Sequence, residues 1–331
     1  MQGARIHLKT KLQTHRSVAR VPALQPAPAL VALVLAMVLP PGVRAQGYSA
    51  PQRVGTIRDK RINEISGIAP ARGIANHYWV HNDSGDRPRL FLIHESGEVA
   101  LRLKVTGARA NDWEDVATGP GPEGGSHFIY IGDIGNNNLQ RRFLRIYRIK
   151  HPDLTDIPRN RKMRSAPAFT VSFRYSTGRH NAEALVVHPK TGDIYVITKS
   201  RIQAGVYRLT PPSRDDGVST AVRVKTMPHS PLVTGADLSP DGRRLLVRTL
   251  QGAQEHVLPE GELKFDRVFW QPVIPVPFSR REALGEAICY THDGKGYITS
   301  SEGSPAPLHK FVRLPTTPPA TTQSELKDSS P

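Results

Sequence analysis

The stretch Glu183–Thr198, which reads EALVVHPKTGDIYVIT, holds two short apolar strands joined by a tight turn. The turn contains Gly192-Asp193, a dipeptide typical of β-hairpins, so the two strands should pair antiparallel. The first strand opens on a glutamate, and the second is followed by the polar residues Lys199 and Ser200. We predict the fold from this unit, which consists of a strand that opens on a polar residue, a turn, and a second strand with a polar end.

The same unit recurs along the chain. The polar residues of its opening strands are separated by 48, 69, 51 and 52 positions, and they are Ser66, Glu114, Glu183, Thr234 and Glu286. Spacings of this size are typical of the four-stranded blades of a β-propeller with loops of varying length. Asp241-Gly242 and Asp293-Gly294 supply hairpin turns in two further units. We therefore predict an all-β, five-bladed propeller.

The way the ring closes can also be predicted. The last unit has three strands, the third being Leu308–Val312, and Arg53–Arg58 is a strand with no unit of its own. We predict that this N-terminal strand completes the last blade, which removes an exposed sheet edge. The outer strand of the fourth unit is predicted over Arg267–Ile274. Six blades are the alternative, and they would need a weak unit in Pro152–Pro167, a Pro- and Arg-rich stretch.

The two ends of the chain differ from the rest in composition. The first 45 residues hold six Lys or Arg, no acid and an apolar run from Ala29 to Leu39, followed by Val43-Arg44-Ala45. This pattern predicts a signal peptide over 1–45 and a secreted or periplasmic protein, with an uncleaved amphipathic anchor as the alternative. The apolar run is shorter than the roughly 20 residues of a stable membrane span. We predict the propeller over 46–314 and a disordered Pro/Thr/Ser tail over 315–331.

The chain is basic, with a formal net charge of +16, of which six charges lie in the first 45 residues. The other Lys and Arg residues are scattered and do not alternate with aromatic residues, so we expect a solvated surface and no nucleic-acid partner. The remaining charge could favour a small anionic ligand or an envelope component. The single cysteine, Cys289, lies in an apolar strand and is interpreted as a core residue. The sequence does not indicate an oligomeric state.

The five polar residues of the opening strands should meet around the central channel, because first strands are innermost in a propeller. Three carboxylates held close together raise one another's pKa or bind a cation, and an all-oxygen ring suits calcium. Zinc is not indicated, because no pair of histidines or cysteines accompanies the ring. A water-filled channel lined by ordinary polar residues is the alternative.

The ends of the second strands add a polar rim to this ring. Strand order places acids on one side and bases on the other, an arrangement that would hold an anionic group near a metal. The predicted catalytic residues are Asp133 and Glu183 as bases, with Lys199 and Arg248 binding the anion. Asp83 and Asp86 also lie on this rim, and weaker candidates are Asp115, Asp237 and His180. The alternative is that the rim residues only form turns, for which Asp, Asn and Gly are common.

The order hydroxyl, Glu, Glu, hydroxyl, Glu in the ring resembles that of the soluble calcium-activated nucleotidases (apyrases). The resemblance implies a five-bladed propeller with a calcium ion at its centre. It also implies calcium-shell roles for Ser66, Glu114, Glu183, Thr234 and Glu286, with Thr234 standing where that family has serine. At the rim positions Asp83, Lys199 and Arg248, the resemblance to that family is limited to the type of residue. Trp113–Asp115, Gly132–Asn136 and Asn181–Leu185 also resemble segments of secreted bacterial propellers, which implies a fold but no reaction.

These observations predict a secreted calcium-binding propeller that acts as a metal-dependent hydrolase on an anionic, phosphorylated substrate. One alternative is a non-catalytic propeller with structural calcium that binds a glycan, a peptide or an envelope partner. Another is a lactonase- or esterase-like propeller. A serine hydrolase is not indicated, because the chain has neither a Gly-x-Ser-x-Gly elbow nor a recognisable Ser-His-Asp order.

Overall fold

A computed structural model describes residues 47–121, 125–158, 161–210, 217–282 and 284–315. The predicted signal peptide and all but the first residue of the predicted tail lie outside these ranges. Within them the chain is mainly β-strand, with a 3₁₀ helix at Phe265–Trp270. The strands are β1 Gln52–Ile57, β2 Ile65–Pro70, β3 His77–Asn82, β4 Arg89–His94, β5 Val99–Lys104, β6 Trp113–Pro120, β7 His127–Asp133, β8 Leu144–Lys150, β9 Lys162–Arg164, β10 Phe169–Tyr175, β11 Ala182–Val187, β12 Ile194–Thr198, β13 Ala204–Leu209, β14 Val218–Met227, β15 Val233–Leu238, β16 Arg244–Thr249, β17 Gly252–Val257, β18 Ile274–Val276, β19 Gly285–Tyr290, β20 Gly296–Ser301 and β21 Ala306–Val312.

The described strands form four hydrogen-bonded sheets. The first sheet has the order β2-β3-β4-β5-β9, the third has β15-β16-β17-β18, and the fourth has β19-β20-β21-β1. The second, eight-stranded sheet consists of two meanders, β6-β7-β8-β10 and β11-β12-β13-β14, whose outer strands β10 and β14 pair in parallel. Consecutive strands within each meander pair antiparallel, as short hairpin connections require.

The innermost strands form a closed ring. Strands β2, β6, β11, β15 and β19 each lie against the next, and β19 lies against β2. This cyclic, all-β arrangement is β-propeller-like. The core lies between neighbouring antiparallel meanders, where for example Leu92 and Leu103 pack in one cluster with Ile129 and Ile131. Side chains alternate between the two faces of a strand, so each meander contributes one face to each of two such interfaces.

The predicted closure by the N-terminal strand is confirmed. Strand β1 pairs antiparallel with β21, with Arg53 opposite His309 and Ile57 opposite Ala306. Just before β1, the Tyr48 hydroxyl donates a hydrogen bond to Glu255 at 2.7 Å. The N-terminal segment is therefore tied both to the last strand and to the third sheet.

One prediction about the outer strands was wrong, and one outer strand was not predicted. The stretch predicted as a strand over Arg267–Ile274 begins in the 3₁₀ helix, which buries Phe265, Val268 and Phe269, and only Ile274–Val276 is strand. The three buried residues are spaced as on a helix, and the prolines that follow at 272, 275 and 277 cannot donate backbone hydrogen bonds. A longer strand therefore does not form here. In Pro152–Pro167 the structure has the short strand β9, which pairs in parallel with β5 as an extra outer strand of the first sheet.

Cys289 is buried, as its apolar strand predicts. None of the helical structure in the described ranges is long and apolar enough to cross a bilayer.

Candidate functional site

All five predicted ring residues occupy the second position of an innermost strand, and all five lie in a β-bulge. Between each innermost strand and its neighbour the register shifts at this position, for example between Trp113 and Asp115 and between Ala182 and Ala184. The same shift occurs in β2, β15 and β19. A bulge leaves a residue without a partner in the ladder and changes the direction of its side chain. The repeat therefore includes a backbone irregularity at the candidate site.

The two ring hydroxyls join neighbouring innermost strands. The Ser66 hydroxyl donates a hydrogen bond to the backbone oxygen of Glu114 at 2.5 Å, and that of Thr234 donates to the backbone oxygen of Gly285 at 3.1 Å. Both residues are buried. Each hydroxyl oxygen keeps lone pairs that can face a cation, so these bonds do not exclude a role as ligands.

A group of three carboxylates lies at one side of the ring. Oxygen atoms of Asp83, Asp112 and Glu114 all lie within 4.8 Å of one another. Glu114 is 2% exposed, whereas the two aspartates are half-buried. Burial raises the pKa of Glu114 to about 11, with the Glu183 and Asp83 carboxylates adding to the effect. Burial and the Asp83 carboxylate also raise the pKa of Asp112 to about 6.

The loop after β7 closes over these carboxylates at Gly135. A Cβ atom at this position would lie 2.1 Å from Glu114 Oε1 and 2.3 Å from Asp112 Oδ2, so a larger residue here would displace these two carboxylates. Asp133, at the end of β7, accepts hydrogen bonds from the Asp112 backbone nitrogen at 3.1 Å and from Arg141 at 2.7 Å. Asp133 is fully buried. Its carboxylate therefore positions the Asp112 loop.

The other two ring glutamates have polar partners. Glu183 pairs with Lys199 at 2.9 Å and accepts a hydrogen bond from the Asn181 amide at 3.1 Å. Burial raises the pKa of Glu183, although Lys199 opposes this. Burial and the neighbouring Glu302 carboxylate raise the pKa of Glu286 to about 8. Among the described residues at this centre, several carboxyl groups therefore surround a single lysine, Lys199.

Arg248, the second predicted anion-binding residue, is directed into the protein. It is 3% exposed, and its guanidinium pairs with Glu282 at 2.8 Å. Glu282 also accepts a hydrogen bond from the Thr299 hydroxyl at 2.6 Å, and its Oε1 lies 2.7 Å from His309 Nδ1. These contacts join β16, β20, β21 and the loop before β19. In this conformation Arg248 does not reach a ligand at the rim.

The same network contains a buried chain of serine, histidine and glutamate that the sequence did not reveal. Ser279 Oγ lies 3.4 Å from His309 Nε2, and Glu282 lies on the other ring nitrogen. Ser279 is 3% exposed, and Glu282 is shared with Arg248. A substrate does not reach this serine in the observed conformation, so the chain acts as an internal hydrogen-bond network.

The remaining rim candidates serve the fold. Asp86 pairs with Arg89 at 2.7 Å. Asp115 accepts hydrogen bonds from the backbone nitrogens of Val116 and Leu185, and Asp237 accepts one from that of Tyr290. Asp115, which is buried, and Asp237, which is partly buried, thus join neighbouring innermost strands. The His180 ring contacts the hydroxyls of Thr177 and Tyr207 at 3.0 and 2.9 Å.

Sequence reasoning missed Asp112, whereas the rim predicted at the ends of the second strands includes Glu302. Asp112 directly precedes the Trp113–Asp115 segment, and its place two residues before a ring glutamate was the available signal. Glu302 follows β20, where it meets Glu286 across the sheet.

Comparisons with known proteins give no family assignment. No family model matches the chain, and no curated protein matches it. Among solved structures, the soluble aldose sugar dehydrogenase of Escherichia coli in its apo form is 9% identical with a TM-score of 0.42, covering 81% of this chain and 100% of that chain. Hydrazine synthase of Kuenenia stuttgartiensis is 11% identical with a TM-score of 0.38, covering 76% and 84% of the two chains. Similarity at this level does not indicate a shared reaction.

Proposed function

We propose that this protein is an exported, five-bladed β-propeller that binds calcium at its centre and hydrolyses an anionic, phosphorylated substrate there. The ring of innermost strands β2, β6, β11, β15 and β19 supports the blade count. Each of these strands begins an antiparallel meander. The parallel pairing of β10 with β14 joins two of the five meanders into one sheet. Six blades would require a further innermost strand, and the described Pro152–Pro167 residues supply only the outer strand β9.

The observation that carries the cation proposal is the state of Glu114. Its carboxylate is almost fully buried, and it has no hydrogen bond or ion pair with any residue in the described ranges. A buried carboxylate without a partner costs several kcal/mol if it is ionised. Here it also faces Asp83 and Asp112, so the group must hold protons or a cation. A divalent cation would compensate two of the three negative charges and leave a net charge of only −1 in the group.

The donor set fits a hard cation. All the candidate ligands are oxygens, and a separation of at most 4.8 Å between them is compatible with two ligands each about 2.3–2.6 Å from one calcium ion. Asp83, Asp112 and Glu114 would hold it, with Ser66, Glu183, Thr234 and Glu286 completing the wall of the site. A carboxylate-rich, partly hydrated site of this kind suits calcium better than zinc.

The hydrolytic proposal assigns roles to the side chains beside the cation. The bound ion would polarise a phosphoryl oxygen and lower the pKa of a water molecule. Lys199, half-buried beside Glu183, would neutralise an anionic group of the substrate, while the Glu183 carboxylate accepts a proton from water. Asp133 would position Asp112 rather than act as a base. Arg248 has no role in substrate binding in this scheme.

Calcium binding is tested by a melting-temperature titration of the chelator-treated protein with calcium chloride, and separately with magnesium chloride. A ligand that binds only the folded state raises the melting temperature. Asp83→Asn should remove most of the calcium response. Asp86→Asn is the matched control, because Asp86 lies in the same loop but pairs with Arg89. A flat titration of the unmodified protein, or equal responses of the two variants, would refute the cation site.

Hydrolysis is tested with nucleoside diphosphates and a panel of phosphate and carboxylic esters, with and without chelator. Calcium-dependent release of phosphate supports the enzyme. A second function, a non-catalytic propeller with structural calcium, is favoured by the ion pair that already occupies Lys199 and by the burial of Arg248. Calcium binding with no activity on the panel would select this binding module. Export is tested by sequencing the N-terminus of the mature protein, which should begin after Ala45.

A further inference from the structure

The outer strands of the first sheet carry rows of basic side chains on one face. The register places Lys104 between Arg89 on β4 and Arg164 on β9. In the next row, Arg102 lies opposite Lys162. Directly opposed residues on neighbouring strands lie about 5 Å apart at their Cβ atoms, and like charges in such pairs destabilise a sheet. Like charges therefore face one another across the strands of both rows.

The protein compensates part of this charge. Arg89 pairs with Asp86 at 2.7 Å. Arg102, Lys104 and Arg164 have no ion pair with any acid in the described ranges, and Lys104 and Arg164 are exposed. Three cations without an ion pair are thus fixed in adjacent positions of a rigid sheet, although Arg102 is near enough to the Asp59 carboxylate to help lower its pKa.

The basic rows form one wall of a groove between the first and fourth sheets. At its floor the β4–β5 turn touches β1, since a Cβ atom on Gly97 would lie 2.2 Å from the Thr56 carbonyl oxygen. Arg58 and Arg61, just after β1, also line the groove, together with Asp59, which pairs with Arg61, and Glu98, which pairs with Arg161. The walls enclose a cavity of about 600 Å³, which continues past Arg102 into a second cavity of about 690 Å³. We call this feature the rim groove.

The shape and chemistry of the rim groove indicate the kind of ligand. Successive cations along a groove match a chain with an anionic group on each unit, and the arginine fork pairs bidentately with carboxylates. A flat lipid surface does not follow such a groove. Nucleic-acid bases would find no exposed ring on which to stack, because Phe91, the aromatic residue in these rows, is fully buried. We propose that the rim groove binds a linear acidic polysaccharide carrying carboxylates.

The rim groove shares no residue with the acidic centre, so this proposal is independent of the calcium site. The test uses polygalacturonate as the carboxylated chain, neutral dextran as the uncharged control, and affinity electrophoresis at low and high salt. The mature protein should bind polygalacturonate but not dextran, and added salt should weaken the binding, since the contacts are between charges near the surface.

The variant that tests the groove replaces Arg102, Lys104 and Arg164 together by serine. Its affinity should fall about tenfold or more, because each surface ion pair contributes up to about 1 kcal/mol and about 1.4 kcal/mol is tenfold. The control variant replaces Arg174, Lys190 and Arg223, which are exposed elsewhere, and loses the same net charge. It should keep nearly all of the affinity.

A melting curve shows whether each variant folds, and the groove variant should melt at the same or a higher temperature because opposed like charges are removed. Three outcomes would overturn the proposal. They are no binding of polygalacturonate by the unmodified protein, an equal loss in both variants, and binding to vesicles containing phosphatidylglycerol without binding to polygalacturonate. The last result would identify a membrane partner.

Discussion

The substitution Glu114→Gln should stabilise the protein without calcium and destabilise it with calcium. At pH 7 the buried carboxyl, whose pKa is raised from 4.5 to about 11, stays protonated in the folded state and is ionised in the unfolded state. For an acid with a raised pKa, folding stability declines as pH rises from the unfolded to the folded pKa, so the group opposes folding at pH 7. The gap between pH 7 and 4.5 corresponds to about 3 kcal/mol.

Glutamine has nearly the same shape and does not ionise, so it removes that cost. For a domain of this size about 3 kcal/mol corresponds to roughly 5 °C in melting temperature. With calcium the order should invert, because the unmodified protein gains binding energy that the variant largely loses. The assay is a pair of melting curves for each protein at pH 7, with chelator and with excess calcium chloride.

Glu255→Gln is the matched control for this prediction. Glu255 is equally buried but fully partnered, accepting hydrogen bonds from Tyr48 and Tyr290, both at 2.7 Å, and pairing with Arg313 at 2.6 Å. Its substitution should destabilise the protein in both conditions, since it weakens a satisfied buried network. If Glu114→Gln behaved in the same way, the Glu114 carboxylate would have an unrecognised partner and the cation argument would be wrong.

Three further predictions concern the site and its surroundings. Apparent calcium affinity should fall as pH is lowered from 8 to 5, because protons compete with the cation for carboxyl groups with raised pKa values, such as Glu286 at about 8. Calorimetric titration with calcium at several pH values measures this change. Gly135→Ala should abolish the calcium response and lower the melting temperature, whereas Gly252→Ala, where the nearest atom to a Cβ is 3.5 Å away, should change both only slightly. Glu282→Gln should cost about 3–5 kcal/mol in chemical denaturation because it leaves the Arg248 charge buried without its partner, and an unchanged midpoint would contradict the proposed network.

The features of the fold that could be predicted depend on local patterns. The opening strands are apolar runs that begin at a polar residue, and the Asp-Gly turns fix where the second strands begin. Closure followed from counting strands, because the last unit lacked one and Arg53–Arg58 was unassigned. The 3₁₀ helix was missed because Phe265, Val268 and Phe269 are equally compatible with a strand when only apolar content is considered.

The details of the candidate site depend on contacts between distant segments. Asp112 and Asp83 come from different sheets and meet beside Glu114, where the Gly135 loop packs over Asp112 and Glu114. Arg248 is directed inward because Glu282, in a loop 34 positions further along, forms its partner. The basic rows looked scattered because β9 joins β5 only after a long excursion through the β6–β8 meander. None of these pairings leaves a periodic signal in the chain.

The pairing of β1 with β21 also determines how the domain would respond to a pulling force. The two strands are antiparallel, and Gln52 lies opposite Lys310, so the ends of the domain emerge side by side at one edge of the fourth sheet. Tension applied through both ends would load the hydrogen bonds of this ladder one after another, like opening a zipper, rather than all together in shear. The ring should therefore resist heat as a single cooperative unit and yet open at low force where its ends meet.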